Sequence, residues 1–308
     1  MAVALVCGAS GFMGRWVCEA VRRQSGTELI GLGLGSKPAG FEERWLDLDL
    51  LHDDRRVTHE LRELGPATVV NCTGATYGSA LELIRSHALA TARLLEIFEH
   101  PEAPVRFVQI GSAAEYGPGP AGTPVAETTA PHPIGAYGIA KLAATQLVAA
   151  AVSAGAVDGV VLRVFNAVGP SMPPNTLVGA TVDSLRTAQS LGAQTISVGP
   201  LGAVRDFVDV RDVAAAVVAA MAAPELSSPI INVGSGTAHS ARDLVEALAV
   251  GFGFTGRIEE RGSGSPRSAD VPWQVADVSL AARILGWRAG HDLGSSVELI
   301  VREAAGGR

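Results

Sequence analysis

Val3-Ala4-Leu5-Val6-Cys7, running into Gly8-Ala9-Ser10-Gly11-Phe12-Met13-Gly14, is the stretch that decides the fold. Five apolar residues read as a strand, and the glycine run that ends them opens directly into a helical pattern over 14–24. Glycines at such a junction let the backbone turn tightly and approach a pyrophosphate closely. The helix N-terminus then offers free N–H groups and the positive end of its dipole. The turn reads as a dinucleotide site with Gly8, Ser10, Gly11, Phe12, Met13 and Gly14 as its contacts.

Working outward, short β-branched runs at 28–34, 68–72, 106–111 and 159–165 alternate with helical stretches at 54–64, 81–99 and 137–154. That alternation predicts an α/β protein with a Rossmann-type, doubly wound parallel sheet. After Phe165 the rhythm breaks, and residues 169–174 are rich in Gly and Pro. We expect a dinucleotide-binding domain over 1–165, with 203–233 returning to it, and a smaller interleaved C-terminal substrate-binding lobe made of 166–202 and 234–308.

The 308 residues are 47% hydrophobic and 18% charged, which excludes a disordered chain. A formal charge of −7 argues against a partner that is tracked by its phosphates, so no nucleic acid is expected. Residues 1–8 lack a basic leader, and the uncharged stretch 142–157 falls short of the ~20 apolar residues of a membrane span. Cys7, Cys18 and Cys72 cannot all pair, and the seven histidines show no ligand spacing. The expectation is a soluble cytoplasmic protein with reduced cysteines, no metal and no membrane partner.

Basic usage is lopsided, with 22 arginines against two lysines, Lys37 and Lys141. Lys37 follows the second strand, where an acidic residue would hold the adenosine ribose of NAD. The chain has Gly33-Leu34-Gly35-Ser36-Lys37 there instead. A strand end without a carboxylate, followed by Ser36 and Lys37, suits a 2′-phosphate, so NADP is expected over NAD. By the same argument Gly33→Asp should reverse the preference. Asp47 and Leu48, after the third strand, stand where an adenine amino group is held.

Tyr137-Gly138-Ile139-Ala140-Lys141 puts a phenol and an ammonium one helical turn apart on one face. A fixed cation stabilises a phenolate, which makes a tyrosine a usable proton donor. Upstream, Gly111-Ser112-Ala113-Ala114-Glu115-Tyr116-Gly117 follows the fifth strand and brings the Ser112 hydroxyl toward the same crevice.

With these elements in this order, the chain resembles the extended short-chain dehydrogenase/reductases, the sugar-nucleotide epimerase/dehydratase group. The likeness continues through Arg163-Val164-Phe165-Asn166-Ala167-Val168-Gly169-Pro170, through 205–213, and through Asn232-Val233-Gly234-Ser235-Gly236. Residues 111–117, 198–213 and 266–287 look most like GDP-4-keto-6-deoxymannose reductases. The resemblance implies that Ser112 and Tyr137 hold the substrate oxygen and that Lys141 binds the nicotinamide ribose. It implies that Asn166, Arg205 and Arg267 contact a nucleotide-diphosphate sugar; for the two arginines, ion pairing with Asp206 or Asp270 is the alternative. Asn71-Cys72-Thr73-Gly74 departs from the family's usual residues after the fourth strand, and we place Thr73 and Gly74 among the cofactor contacts. A homodimer through helices 81–99 and 137–154 is expected by analogy.

The reaction expected from the resemblance is NADPH-dependent reduction of a nucleotide-activated 4-keto-6-deoxyhexose. An epimerase of the same family is the alternative, and a non-catalytic NADP-binding sensor is a second. Dehydratases of the family carry acids directly after the serine position, where this chain has Ala113 and Ala114, and Glu115 is expected to point elsewhere.

Overall fold

The computed structural model describes residues 2–52, 54–99, 105–262 and 271–306. In chain order the strands are β1 (Ala2–Cys7), β2 (Thr27–Gly33), β3 (Arg44–Asp47), β4 (Thr68–Asn71), β5 (Arg106–Ser112), β6 (Asp158–Val164), β7 (Asn166–Val168), β8 (Thr195–Val198), β9 (Val204–Asp209), β10 (Ile230–Val233), β11 (Ala238–Ser240), β12 (Arg257–Glu260) and β13 (Trp273–Gln274). The helices are α1 (Phe12–Arg22), α2 (Asp54–Leu64), α3 (Ala80–Ile84), α4 (Ala90–Phe98), α5 (Ala136–Ser153), α6 (Leu177–Leu191), α7 (Val210–Ala222), α8 (Ala241–Gly251), α9 (Ser279–Leu285) and α10 (Leu293–Gly306).

Seven strands form one sheet in the order β10-β6-β5-β4-β1-β2-β3, with every pairing parallel. This is the expected Rossmann-type architecture. Alternation along β1 shows why both faces are covered. Ala4 and Val6 pack toward α1, α7 and α9, while Leu5 and Cys7 pack toward α2 and α4. The order reverses between β1 and β4, and that reversal opens a crevice beyond their carboxyl ends. The remaining strands make a small sheet, β11-β9-β13 with β7 on β9, and a β12-β8 pair. Leu185, Leu244, Leu248 and Ile300 fill the core of this second lobe.

Several elements differ from the sequence expectation. The stretch 81–99 is not one regular helix, because a π-helical turn, Arg85–Leu89, separates α3 from α4. β9 belongs to the small sheet, so the chain's return to the large one begins at α7, which packs on α1, and ends at β10. α5 has the length and apolar composition of a membrane span, yet it packs on β5 and β6 as a crossover helix.

Asp206 joins the lobes. It is 0% exposed, and its Oδ1 accepts from the Ser235 N–H and hydroxyl at 2.6 and 2.7 Å. Its Oδ2 accepts from the Gly236 and Ala276 N–H groups at 2.9 and 3.1 Å. Burial pushes this carboxyl up from its ordinary value, and the four donors oppose that shift. Asp206 is therefore engaged by loop donors instead of pairing with Arg205. A Cβ at Gly234 would lie 2.5 Å from Asp206 Oδ2 and 2.8 Å from Ala276 Cβ, which explains the glycine there. Gly234→Ala should destabilise the fold by about 1–3 kcal/mol through overpacking, read from denaturant midpoints; an unchanged midpoint would contradict this role.

Candidate active site

A cleft of about 1050 Å³ opens at the carboxyl ends of β4, β5 and β6, between the large sheet and the second lobe. Gly11, Phe12, Met13, Thr73, Gly74, Ser112, Tyr137, Lys141, Asn166 and Arg205 line it, so the structure brings these expected residues together. Gly8, Ser10, Gly14, Ser36, Lys37, Asp47 and Leu48 lie off its wall. Arg267, expected on the diphosphate, lies outside the described residues.

The glycine turn has the geometry of an anion cradle. Gly8 adopts a left-handed φ of +74°, and a Cβ at Gly14 would lie 2.1 Å from the Gly8 carbonyl oxygen. No side chain caps the N-terminus of α1. A backbone that approaches this closely, beside a helix end without a side-chain cap, fits a dinucleotide pyrophosphate.

Beyond the turn, two sequence expectations need correction. A Cβ at Gly33 would lie 2.6 Å from Trp45 Cη2 and 2.8 Å from Cζ2, so an aspartate does not fit there without displacing the indole. Gly33 is accounted for by packing against Trp45, and Gly33→Asp is no clean test of cofactor choice. Lys37 Nζ donates to the Glu42 and Glu43 carbonyls at 2.9 and 2.7 Å, which holds the ammonium against its own loop. Asp47 Oδ1 accepts the Gly35 N–H at 2.7 Å, and the Trp45 indole N–H donates to the Gly35 carbonyl at 2.9 Å. These bonds order the 33–47 loop.

At the reactive end, β5 delivers Ser112, whose Oγ accepts the Ala114 N–H at 3.2 Å. The Ser112 N–H donates to Glu115 Oε1 at 2.8 Å, and Glu115 Oε2 accepts from Arg163 Nε at 2.7 Å. Glu115 is 0% and Arg163 2% exposed. Glu115 thus turns into the core, as expected, and supports the turn from behind. The Arg163 guanidinium stands 4.4 Å from the centre of the Tyr116 ring, and the Tyr116 hydroxyl donates to Asn232 Oδ1 at 2.7 Å. α5 closes on this turn because Gly138 lacks a side chain; a Cβ there would lie 2.5 Å from the Ala114 carbonyl oxygen. That contact sets half-buried Tyr137 beside the Ser112 turn. Lys141 is 5% exposed and donates to the Ile110 carbonyl at 2.8 Å, which leaves two of its three N–H groups unmatched among the described residues.

On the opposite wall, Asn166 Nδ2 donates to the Asp206 carbonyl at 3.1 Å. Burial pulls the Arg205 guanidinium below its ordinary value, a cost that a diphosphate beside it would offset. Among the cleft-wall residues that the sequence reading missed are His87, Arg261 and Gln274. Gln274 donates both amide hydrogens, to the Ala113 and Gly117 carbonyls at 2.9 and 3.1 Å. Nothing in their spacing marks them, since each is placed by tertiary packing.

Residues 4–234 match the model of the NAD dependent epimerase/dehydratase family. The chain is 36% identical over 295 residues to a dTDP-6-deoxy-L-talose 4-dehydrogenase (NAD(P)(+)) of Kitasatospora kifunensis, covering 95% of this chain and 92% of that one. It is 30% identical over 194 residues to a GDP-6-deoxy-D-mannose reductase of Pseudomonas aeruginosa, covering 60% of this chain and 62% of that one. Among solved structures it is similar to MoeE5 in complex with UDP-glucuronic acid and NAD, with a TM-score of 0.86, 26% identity and full coverage of both chains.

Glu115→Gln would leave the Arg163 guanidinium buried without its counter-charge. It should cost about 3–5 kcal/mol of stability by urea unfolding, and the double variant with Arg163→Met should recover much of that loss. A single-variant loss below 1 kcal/mol would show that the pair does not support the turn.

Proposed function

The chain belongs to the NAD dependent epimerase/dehydratase family, the extended short-chain dehydrogenase/reductases, and from that premise we propose that it is an NADPH-dependent 4-ketoreductase of a nucleotide-activated 4-keto-6-deoxyhexose. The observation that carries the reading is the Ser112 turn. Ala113 and Ala114 line the cleft where a dehydratase needs acids, and Glu115 is withdrawn to Arg163. Tyr137 is left as the proton donor of that wall, which suits a single carbonyl reduction. The 4-dehydrogenase relative supports the same carbon, since oxidation of a 4-hydroxyl is the reverse of this reduction.

A nicotinamide dinucleotide held at the glycine turn supplies the hydride. The chain's own residues do the rest. The Ser112 hydroxyl donates to the substrate carbonyl oxygen, and the Tyr137 phenol gives that oxygen its proton. The Lys141 ammonium, one helical turn away, stabilises the phenolate left behind. Arg205 offsets the diphosphate charge. The absence of a carboxylate at the end of β2 supports NADPH over NADH. Leu81, Ile84 and Leu89 on one helical segment and Ile139 and Leu147 on α5 are exposed, and we take this apolar face as the contact of a homodimer. Sedimentation giving a monomer mass would remove the dimer.

The test is stoichiometric. Purified protein given a dTDP- or GDP-4-keto-6-deoxyhexose should oxidise one NADPH per sugar reduced and bind NADPH more tightly than NADH. Tyr137→Phe should lower kcat about 10²–10⁴-fold with dinucleotide binding retained. Tightly held dinucleotide with interconversion of two saturated sugars and no NADPH loss would establish the epimerase instead. Formation of a 4-keto product from GDP-mannose or dTDP-glucose would overturn the argument from Ala113 and Ala114.

A further inference from the structure

We propose that Gln274 is a positioning residue through which the second lobe orients the Ser112 hydroxyl; the proposal rests on the reading above of Ser112 as donor to the substrate carbonyl. Gln274 stands on β13 of the small sheet, in register with Arg205 on the neighbouring strand β9. Their side chains therefore leave the same face of that sheet, and both line the cleft. From there Gln274 reaches the wall built on the large sheet. Its Nε2 donates to the Ala113 carbonyl at 2.9 Å and to the Gly117 carbonyl at 3.1 Å. A carbonyl only accepts, so the amide nitrogen and not its oxygen must face this pair, which fixes the orientation of the group.

The two carbonyls bracket the turn that sets Ser112. The 3₁₀ turn Ala113–Glu115 begins directly after the serine, and the Ala113 carbonyl also accepts the Tyr116 N–H at 3.0 Å. Ser112 Oγ accepts the Ala114 N–H at 3.2 Å, so the direction of the hydroxyl follows from where the turn places that N–H. With this lone pair engaged, the O–H is the part that reaches a substrate oxygen. Glu115 Oε1 holds the Ser112 N–H at 2.8 Å from the buried side. Gln274 holds the same turn by its two ends from the side of the second lobe.

Packing alone does not call for an amide at this place. Gln274 is 5% exposed, and a methionine of similar length would fill the space. Ala113 and Gly117 themselves line the cleft, where water satisfies a carbonyl nearly as well as an amide does. What water does not supply is a rigid link. One side chain with two donors fixes the separation of two backbone oxygens four residues apart and ties both to β13. A hydroxyl that must meet a carbonyl during hydride transfer needs that link, since a misplacement of about 1 Å costs up to ~10²-fold in rate.

The experiment compares Gln274→Met, Ser112→Ala and the double variant with the unsubstituted protein, using NADPH and a dTDP-4-keto-6-deoxyhexose. Gln274→Met should lower kcat about 10-fold, with KM for the sugar nucleotide and Kd for NADPH changed less than about twofold. In the Ser112→Ala background the same substitution should change kcat less than about twofold, because the group it positions is gone. Hydrogen exchange read by mass spectrometry, with no ligand added, should be faster over 112–117 in Gln274→Met and unchanged in β1 and β4. Should Gln274→Met fail to fold, Gln274→Glu keeps the length and a polar end while removing the N–H donors, and it should give the same pattern. A raised KM with kcat unchanged would make Gln274 a substrate contact, and an equal loss of kcat in both Ser112 backgrounds would make it independent of the serine. Either result overturns the proposal, as does exchange over 112–117 that the substitution leaves unaltered. Absence of NADPH oxidation by the unsubstituted protein overturns the reductase reading instead, and the exchange measurement then decides the positioning role by itself.

Discussion

A carboxylate cut off from solvent cannot remain without donors, and Asp206 meets that demand by drawing two separate segments of chain onto its two oxygens. Ser235 and Gly236 come from the loop after β10, at the edge of the large sheet, and Ala276 comes from beyond β13. The small sheet is thereby fixed against the large one. The cleft inherits its shape from this joint, because Arg205 precedes Asp206 on β9 and alternation sends the guanidinium to the opposite face. Asn166 is held by the main-chain carbonyl of the same aspartate. The wall facing the reactive groups is thus placed by a residue that never reaches the cleft.

The reactive wall has its own support, of a different kind. Ser112 is held through its backbone N–H by Glu115, Glu115 by Arg163, and Arg163 lies over Tyr116. Tyr137 arrives on a helix whose approach is permitted by Gly138. Both supports are buried and polar and lie behind the side chains that face the cleft. The His87 imidazole differs, because its Nδ1 has no hydrogen-bond partner among the described residues.

Much of this was legible in the sequence, and the limits have physical causes. β1, the glycine turn, α2 and α5 were readable because their signals are local: apolar runs, helical period, and a turn that demands glycine. The grouping of Ser112, Tyr137 and Lys141 was readable because Ser112 ends a strand, and Tyr137 and Lys141 lie in the first two turns of a helix, in elements whose order the alternation predicts. Gly33 was misread because a missing side chain has two explanations, a ligand's needs or a neighbour's bulk, and Trp45 is twelve residues away. The partners of Asp206 were hidden since loop N–H groups carry no signature in residue type. The π-helical turn was hidden too, because its residues have ordinary helical composition.

The Ser112 turn also divides two tasks between neighbouring residues. Ala114 faces the cleft while its neighbour Glu115 is sunk in the core, so the surface that meets substrate and the ion pair that keeps the turn in shape occupy adjacent positions with opposite orientations. A change at 114 can alter which protons are moved without disturbing the scaffold beneath it. The chemistry of the cleft surface and the stability of the turn are thereby carried by separate side chains, and either can be varied while the other is kept.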